Sequence, residues 1–83
     1  MNEYHSGNIM ISPNPVLESL KIINRCPLEI TYLVIDFSGK ILLEGKGANG
    51  ITRIDFSAFS PGLYLGIFEF PDGNVETHKI FKR

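Results

Sequence analysis

The chain has no tryptophan, one cysteine and two isolated histidines, and none of its apolar runs is long. Each shortage closes off a class of function. A single thiol, Cys26, allows no internal disulfide, so an apolar core has to stabilise the 83 residues. No stretch approaches the roughly 20 apolar residues of a membrane-spanning helix. A net charge of −1, with both signs interspersed, leaves no electrostatic footprint for nucleic acid or an anionic membrane. His5, Cys26 and His78 lie far apart without paired metal-ligand spacing, and no cofactor is expected. The serines occupy no nucleophile elbow and no carboxylate pair is placed for acid–base work, so no enzyme is expected. The opening "MNEYHSGN" lacks a basic region followed by an apolar stretch. No signal peptide is expected there, and the chain is either cytosolic or a piece of a longer protein.

What the sequence does have is a succession of short segments rich in Ile, Leu, Val, Phe and Tyr, divided by Gly, Pro, Asn and Asp. No window keeps an apolar period of 3.6 residues. The spacing predicts about seven strands, near 8–12, 18–24, 29–36, 40–45, 51–56, 63–70 and 75–82, in an all-β sandwich or barrel. In "IDFSGK", Asp36 can accept from the amides two and three residues on, while Gly39 takes a positive φ, so a short bulged hairpin is expected. "FPDGN" predicts a second reversal, with Pro71 presetting φ ahead of Asp72 and Gly73.

Several stretches carry two readings. "ISPNPV" ends a strand abruptly, because neither Pro13 nor Pro15 has an N–H to donate, and Asn14 between them can turn the chain. "GKGANG" spells G-x-G-x-x-G with Gly45, Gly47 and Gly50, yet "ITRIDF" after it reads as strand. A dinucleotide site needs a helix N-terminus there, so a mobile glycine-rich loop is expected instead. Tyr64 follows a Pro-Gly corner and reads either as a tyrosine corner of the Ig-like kind or as an ordinary core tyrosine. In "EITYLVIDF", Ile30, Tyr32 and Val34 share one face, and Leu33, Ile35 and Phe37 share the other. A second apolar face is covered either by loops and termini or by a partner, which makes Leu33, Ile35 and Phe37 a candidate contact face for a weak homodimer. The final "HKIFKR" reads as a charged strand guarding a sheet edge, or as a docking tag made of Lys79, Ile80, Phe81, Lys82 and Arg83.

Taken in order, "ISPNPV", "SLKI", "VIDFSGKIL", "IDFSAFSPGLYLGIF" and "HKIFKR" resemble the C-terminal sorting domain of type IX secretion cargo in Bacteroidetes. The resemblance spans about residues 9–83, leaving 1–8 as a linker or tail. It falls on Pro13, Asn14 and Pro15, on Asp36, Gly39 and Lys40, on Asp55, Ser57, Gly62 and Tyr64, and on Lys79, Ile80 and Lys82. Phe59 stands where leucine is common, and Cys26 belongs to no motif of the family.

The resemblance implies a non-catalytic signal at the end of a larger secreted cargo protein. Its partners would be the type IX outer-membrane translocon and a surface sortase that removes the domain and joins the cargo to anionic lipopolysaccharide. The protein would then be secreted or held at the cell surface, by way of the periplasm and outer membrane. The leading expectation is such a domain in an Ig-like β-sandwich of about seven antiparallel strands. The alternatives are an extracellular Ig-like or fibronectin-type adhesion module, and a small structural domain that dimerises through Leu33 and Ile35.

Overall fold

Turn chemistry cuts the chain into strands at the expected places. The structure, a computed structural model, describes residues 8–83. The expected tail, with His5, lies outside the described residues apart from Asn8. Seven strands follow: β1 (Ile9–Ser12), β2 (Ser19–Asn24), β3 (Ile30–Asp36), β4 (Ile41–Gly47), β5 (Gly50–Asp55), β6 (Gly62–Glu69) and β7 (Val75–Lys82). They form two antiparallel sheets, ordered β1-β2-β5 and β4-β3-β6-β7. The chain crosses between sheets after β2, β4 and β5, giving an Ig-like sandwich.

Two local devices set the register of the large sheet. Asp36 Oδ1 accepts from the Ser38 amide at 2.9 Å and the Lys40 amide at 3.0 Å, and Gly39 adopts φ 91° to close the β3–β4 turn. Just beyond the turn, Val34 pairs with Leu43 but Ile35 pairs with Ile41. Leu42 is therefore the extra residue of a bulge, and both Leu42 and Leu43 pack against the core. The "PDGN" turn likewise joins β6 to β7, with Phe70 and Asn74 paired across it at 2.9 Å.

Alternate residues fill the space between the sheets. Leu20, Ile22 and Ile54 come from the small sheet, while Ile30, Val34, Phe68 and Ile80 come from the large one. Ile9, Val16, Cys26, Phe56, Tyr64 and Phe70 complete this buried cluster. Tyr64 forms the tyrosine corner: its hydroxyl donates to the Ser60 carbonyl, and its ring meets Phe56 edge-on at 5.8 Å. Phe59, where leucine is common in the resemblance, stacks on Tyr64 at 5.7 Å and also packs on the core.

The glycine run differs from its expected role. Gly45 and Gly47 lie inside β4 and Gly50 opens β5, so only Ala48 and Asn49 join the two strands. A Cβ on Gly45 would sit 2.6 Å from the Tyr32 hydroxyl oxygen, so the glycine there makes room for a cross-strand tyrosine.

The outer face of the large sheet is apolar at its centre. Leu33 stands beside Ile67, Ile35 beside Leu65, and Leu63 beside Phe81. Phe37 is 87% exposed at the hairpin tip, and Ile41 is 53% exposed on the β4 edge.

At one end of the sandwich, a buried asparagine joins the two sheets. Asn24 Nδ2 donates to the Leu28 and Gly47 carbonyls, both at 3.1 Å, while its Oδ1 accepts from the Cys26 amide at 2.9 Å. Asn49 adds donations to the Asn24 and Cys26 carbonyls. Replacing Asn24 with alanine strands three buried backbone groups. Denaturant unfolding of Asn24→Ala should show a loss of about 2 kcal/mol; a change within error would mean that water or local shifts replace the side chain.

Candidate recognition surface

The two prolines behind β1 remove donors from the segment 13–15, which therefore cannot pair as an ordinary strand. Asn14 pairs in their place. Its Nδ2 donates to the Lys79 carbonyl at 2.9 Å, and its Oδ1 accepts from the Phe81 amide at 2.8 Å. The carboxamide thus presents one donor and one acceptor to β7, as a peptide unit would. Val16 then continues the ladder in parallel: its amide donates to the Phe81 carbonyl at 2.7 Å, and its carbonyl accepts from the Arg83 amide at 2.9 Å. Residues 13–16 form a strap along the outer edge of β7. Both X–Pro bonds in the strap, Ser12–Pro13 and Asn14–Pro15, are cis.

This junction brings together "PNP" and "KIFKR", which stand at opposite ends of the described chain. The side chains of β7 divide by parity. Lys79 and Phe81 face outward and are exposed, with Phe81 48% exposed beside Leu63. Lys82 is half-buried, its Nζ donating to the Arg83 carbonyl at 3.0 Å, and Arg83 is exposed. Ile80 is fully buried and paired with Tyr64, so its side chain anchors the strand in the core. A tag that includes Ile80 on its contact surface does not fit this geometry; the outward residues are the accessible ones. A cut before Lys79 would also remove the Ile80 anchor, worth about 2–5 kcal/mol as a core side chain.

The remaining motif residues are turn and corner elements. Asp55 Oδ1 accepts from the Ser57 amide at 2.9 Å, Phe56 donates to the Glu18 carbonyl at 2.6 Å, and Gly62 starts β6 opposite Lys82. Pro13, Asn14, Pro15 and Gly62 lie near the exposed end of β7, and so does the Asp36–Lys40 hairpin through the pairing of Asp36 with Tyr64. Asp55 and Ser57 instead border a shallow polar depression with Glu18, Ser19 and Arg53.

One histidine is tied into the fold. His78 is half-buried, its Nε2 lies 2.6 Å from Glu76 Oε2, and its ring meets Phe68 edge-on. Glu76 is itself buried, and the same oxygen accepts from the Ile9 amide at 3.3 Å, tying the start of β1 to β7. The spacing Glu-x-His within a strand puts both side chains on one face, a signal the sequence contained. Asn24 and Asn49 were the other unforeseen polar residues: the bonds of Asn24 to Cys26 and Leu28 are local, whereas its bond to Gly47 and both bonds of Asn49 reach partners too distant in sequence to read from it. Among the described residues no group of three metal-ligating side chains assembles.

The domain is thus a β-sandwich whose motif residues gather in turns and along a strapped outer strand. Residues 10–83 match the family described as the secretion system C-terminal sorting domain, and the chain belongs to it. No curated protein matches the chain. Membership makes the domain a type IX sorting signal that implies secretion or cell-surface export and contact with the secretion machinery. Domains of this family are non-catalytic in general.

The two turn aspartates have a consequence for stability. The Ser38 hydroxyl first, then the Lys40 amide, hold the Asp36 carboxyl below its ordinary value. Hydrogen bonds from Ser57, side chain first and then amide, do the same for Asp55. A carboxyl depressed in the folded state stabilises fully above its unfolded value, about 3.9, and that contribution fades as pH falls through the folded value. Melting temperature should therefore drop below about pH 4, and less steeply in Asp36→Asn/Asp55→Asn. Equal slopes for the two proteins would rule out these turns as the source.

Proposed function

We propose that the domain works as a folded, removable address on an upstream cargo protein, read by the type IX outer-membrane translocon and then by a surface sortase, without catalysis of its own. The passage through periplasm and outer membrane and the release or anchoring of cargo belong to those partners. The recognised surface is the strapped end of β7: Lys79, Phe81, Lys82 and Arg83, held in place by Pro13, Asn14 and Pro15. The observation that carries this reading is the Asn14 junction, because it joins the first and last motifs of the family resemblance into one surface. Recognition of a formed strand also accounts for the buried Ile80, which fixes where the outward side chains stand.

A reporter fused upstream of the domain tests this in a type IX-competent host. Alanine at Lys79, Phe81, Lys82 and Arg83 together should abolish surface display while the isolated domain still melts cooperatively. Undiminished display from the folded quadruple variant would contradict the proposal. Truncation is the weaker experiment, since it removes the core anchor along with the surface.

A further inference from the structure

The outer faces of the two sheets differ. On the small sheet a single apolar row crosses, Met10 beside Ile23 beside Ile51, and the next row carries Lys21 and Arg53. On the large sheet Leu33, Ile35, Leu63, Leu65 and Ile67 lie in adjacent rows, half-buried by one another. Charge lies around this apolar centre: Glu44 and Lys46 on β4, opposite Leu33 and Thr31, Glu69 at the end of β6, and Lys79 on β7, opposite Leu65. A contiguous apolar face of this kind on a small soluble domain marks an interaction site.

We infer that this face binds a second copy of the same chain. A two-fold axis parallel to the strands, midway between β3 and β6, lays β3 of one copy over β6 of the other and β4 over β7. Leu33 then meets Ile67, and Ile35 meets Leu65. Glu44 then lies over Thr77 and Ile41 over Lys79, while Lys46 of one copy comes over Val75, beside Glu69 of the other, so the arrangement is self-complementary in shape and in charge. Four strands about 4.8 Å apart and about seven residues long at roughly 3.4 Å each give a face on the order of 450 Å². With the relief of its side chains, two copies cover about 1,000 Å² in total, the lower end of what a specific but reversible interface needs. Lys79 and Phe81 lie within the covered face, so association hides part of the surface assigned to export. That corollary rests on the export reading, whereas the dimer does not.

Sedimentation equilibrium of the 83-residue chain reads the association directly, and export plays no part in it. The mass should rise from 9.3 kDa toward twice that value with concentration. Leu65→Glu should keep the chain monomeric; should that variant fail to fold, Leu33→Glu in the adjacent row takes its place. Glu69→Lys and Lys46→Glu should each weaken association by about 5- to 10-fold, and the double reversal should restore it to within about twofold. A monomeric mass up to millimolar concentration overturns the inference and assigns the face to another occupant. So does a dimer insensitive to both apolar substitutions, or a charge swap without restoration.

Discussion

The carboxamide of Asn14 stands in for a missing peptide unit. Two prolines around it have removed the backbone donors that a strand would offer, yet β7 still finds an acceptor and a donor at the right spacing. Together with the Val16 bonds, this side chain covers the outer edge of the last strand from Lys79 to Arg83. An open edge of a small sandwich is where unwanted pairing with other chains begins. Here the cover comes from the segment between β1 and β2, which belongs to the small sheet. The same four bonds therefore protect an edge, tie one sheet to the other and fix the position of the accessible basic strand.

The rest of the architecture repeats this division of labour between apolar filling and a few polar ties. Packing of Phe56, Phe68, Ile30 and Ile80 holds the layers together without specifying much about their ends. The ends are specified by asparagines: Asn14 beside β7, and Asn24 with Asn49 where β2 and β4 meet. Buried or strapped amides suit this task because each supplies a donor and an acceptor without charge, so no counter-ion has to be buried with it.

Much of the fold was legible in the sequence. All seven strands fall within two residues of their expected bounds, because turn chemistry such as Asp36 with Gly39 and Pro71 with Asp72-Gly73 is local. Within β3 Ile30 and Val34 are buried while Leu33 and Ile35 are half-buried on the other face; Phe37, read as part of that face, lies past the strand at the hairpin tip. What failed to show was non-local. "GKGANG" read as a loop because glycines look like punctuation, whereas Gly45 answers to Tyr32 across the sheet. Ile80 read as part of a docking tag because alternation gives two faces without saying which one meets the core. "PNP" read as a corner because its partners stand 65 and 67 residues away. The family resemblance placed both ends in one motif set, and the geometry supplies a physical reason for them to occur together.

The claim that the two ends form one unit is tested most directly by amide hydrogen exchange at Phe81, Val16 and Arg83, in the wild-type chain and in Asn14→Ala. Loss of the carboxamide removes the acceptor of the Phe81 amide and the anchor of the strap. All three amides should then exchange faster while those in β3 keep their protection. Unchanged protection at Phe81, Val16 and Arg83 would contradict the account, because the strap would then be held by something other than Asn14.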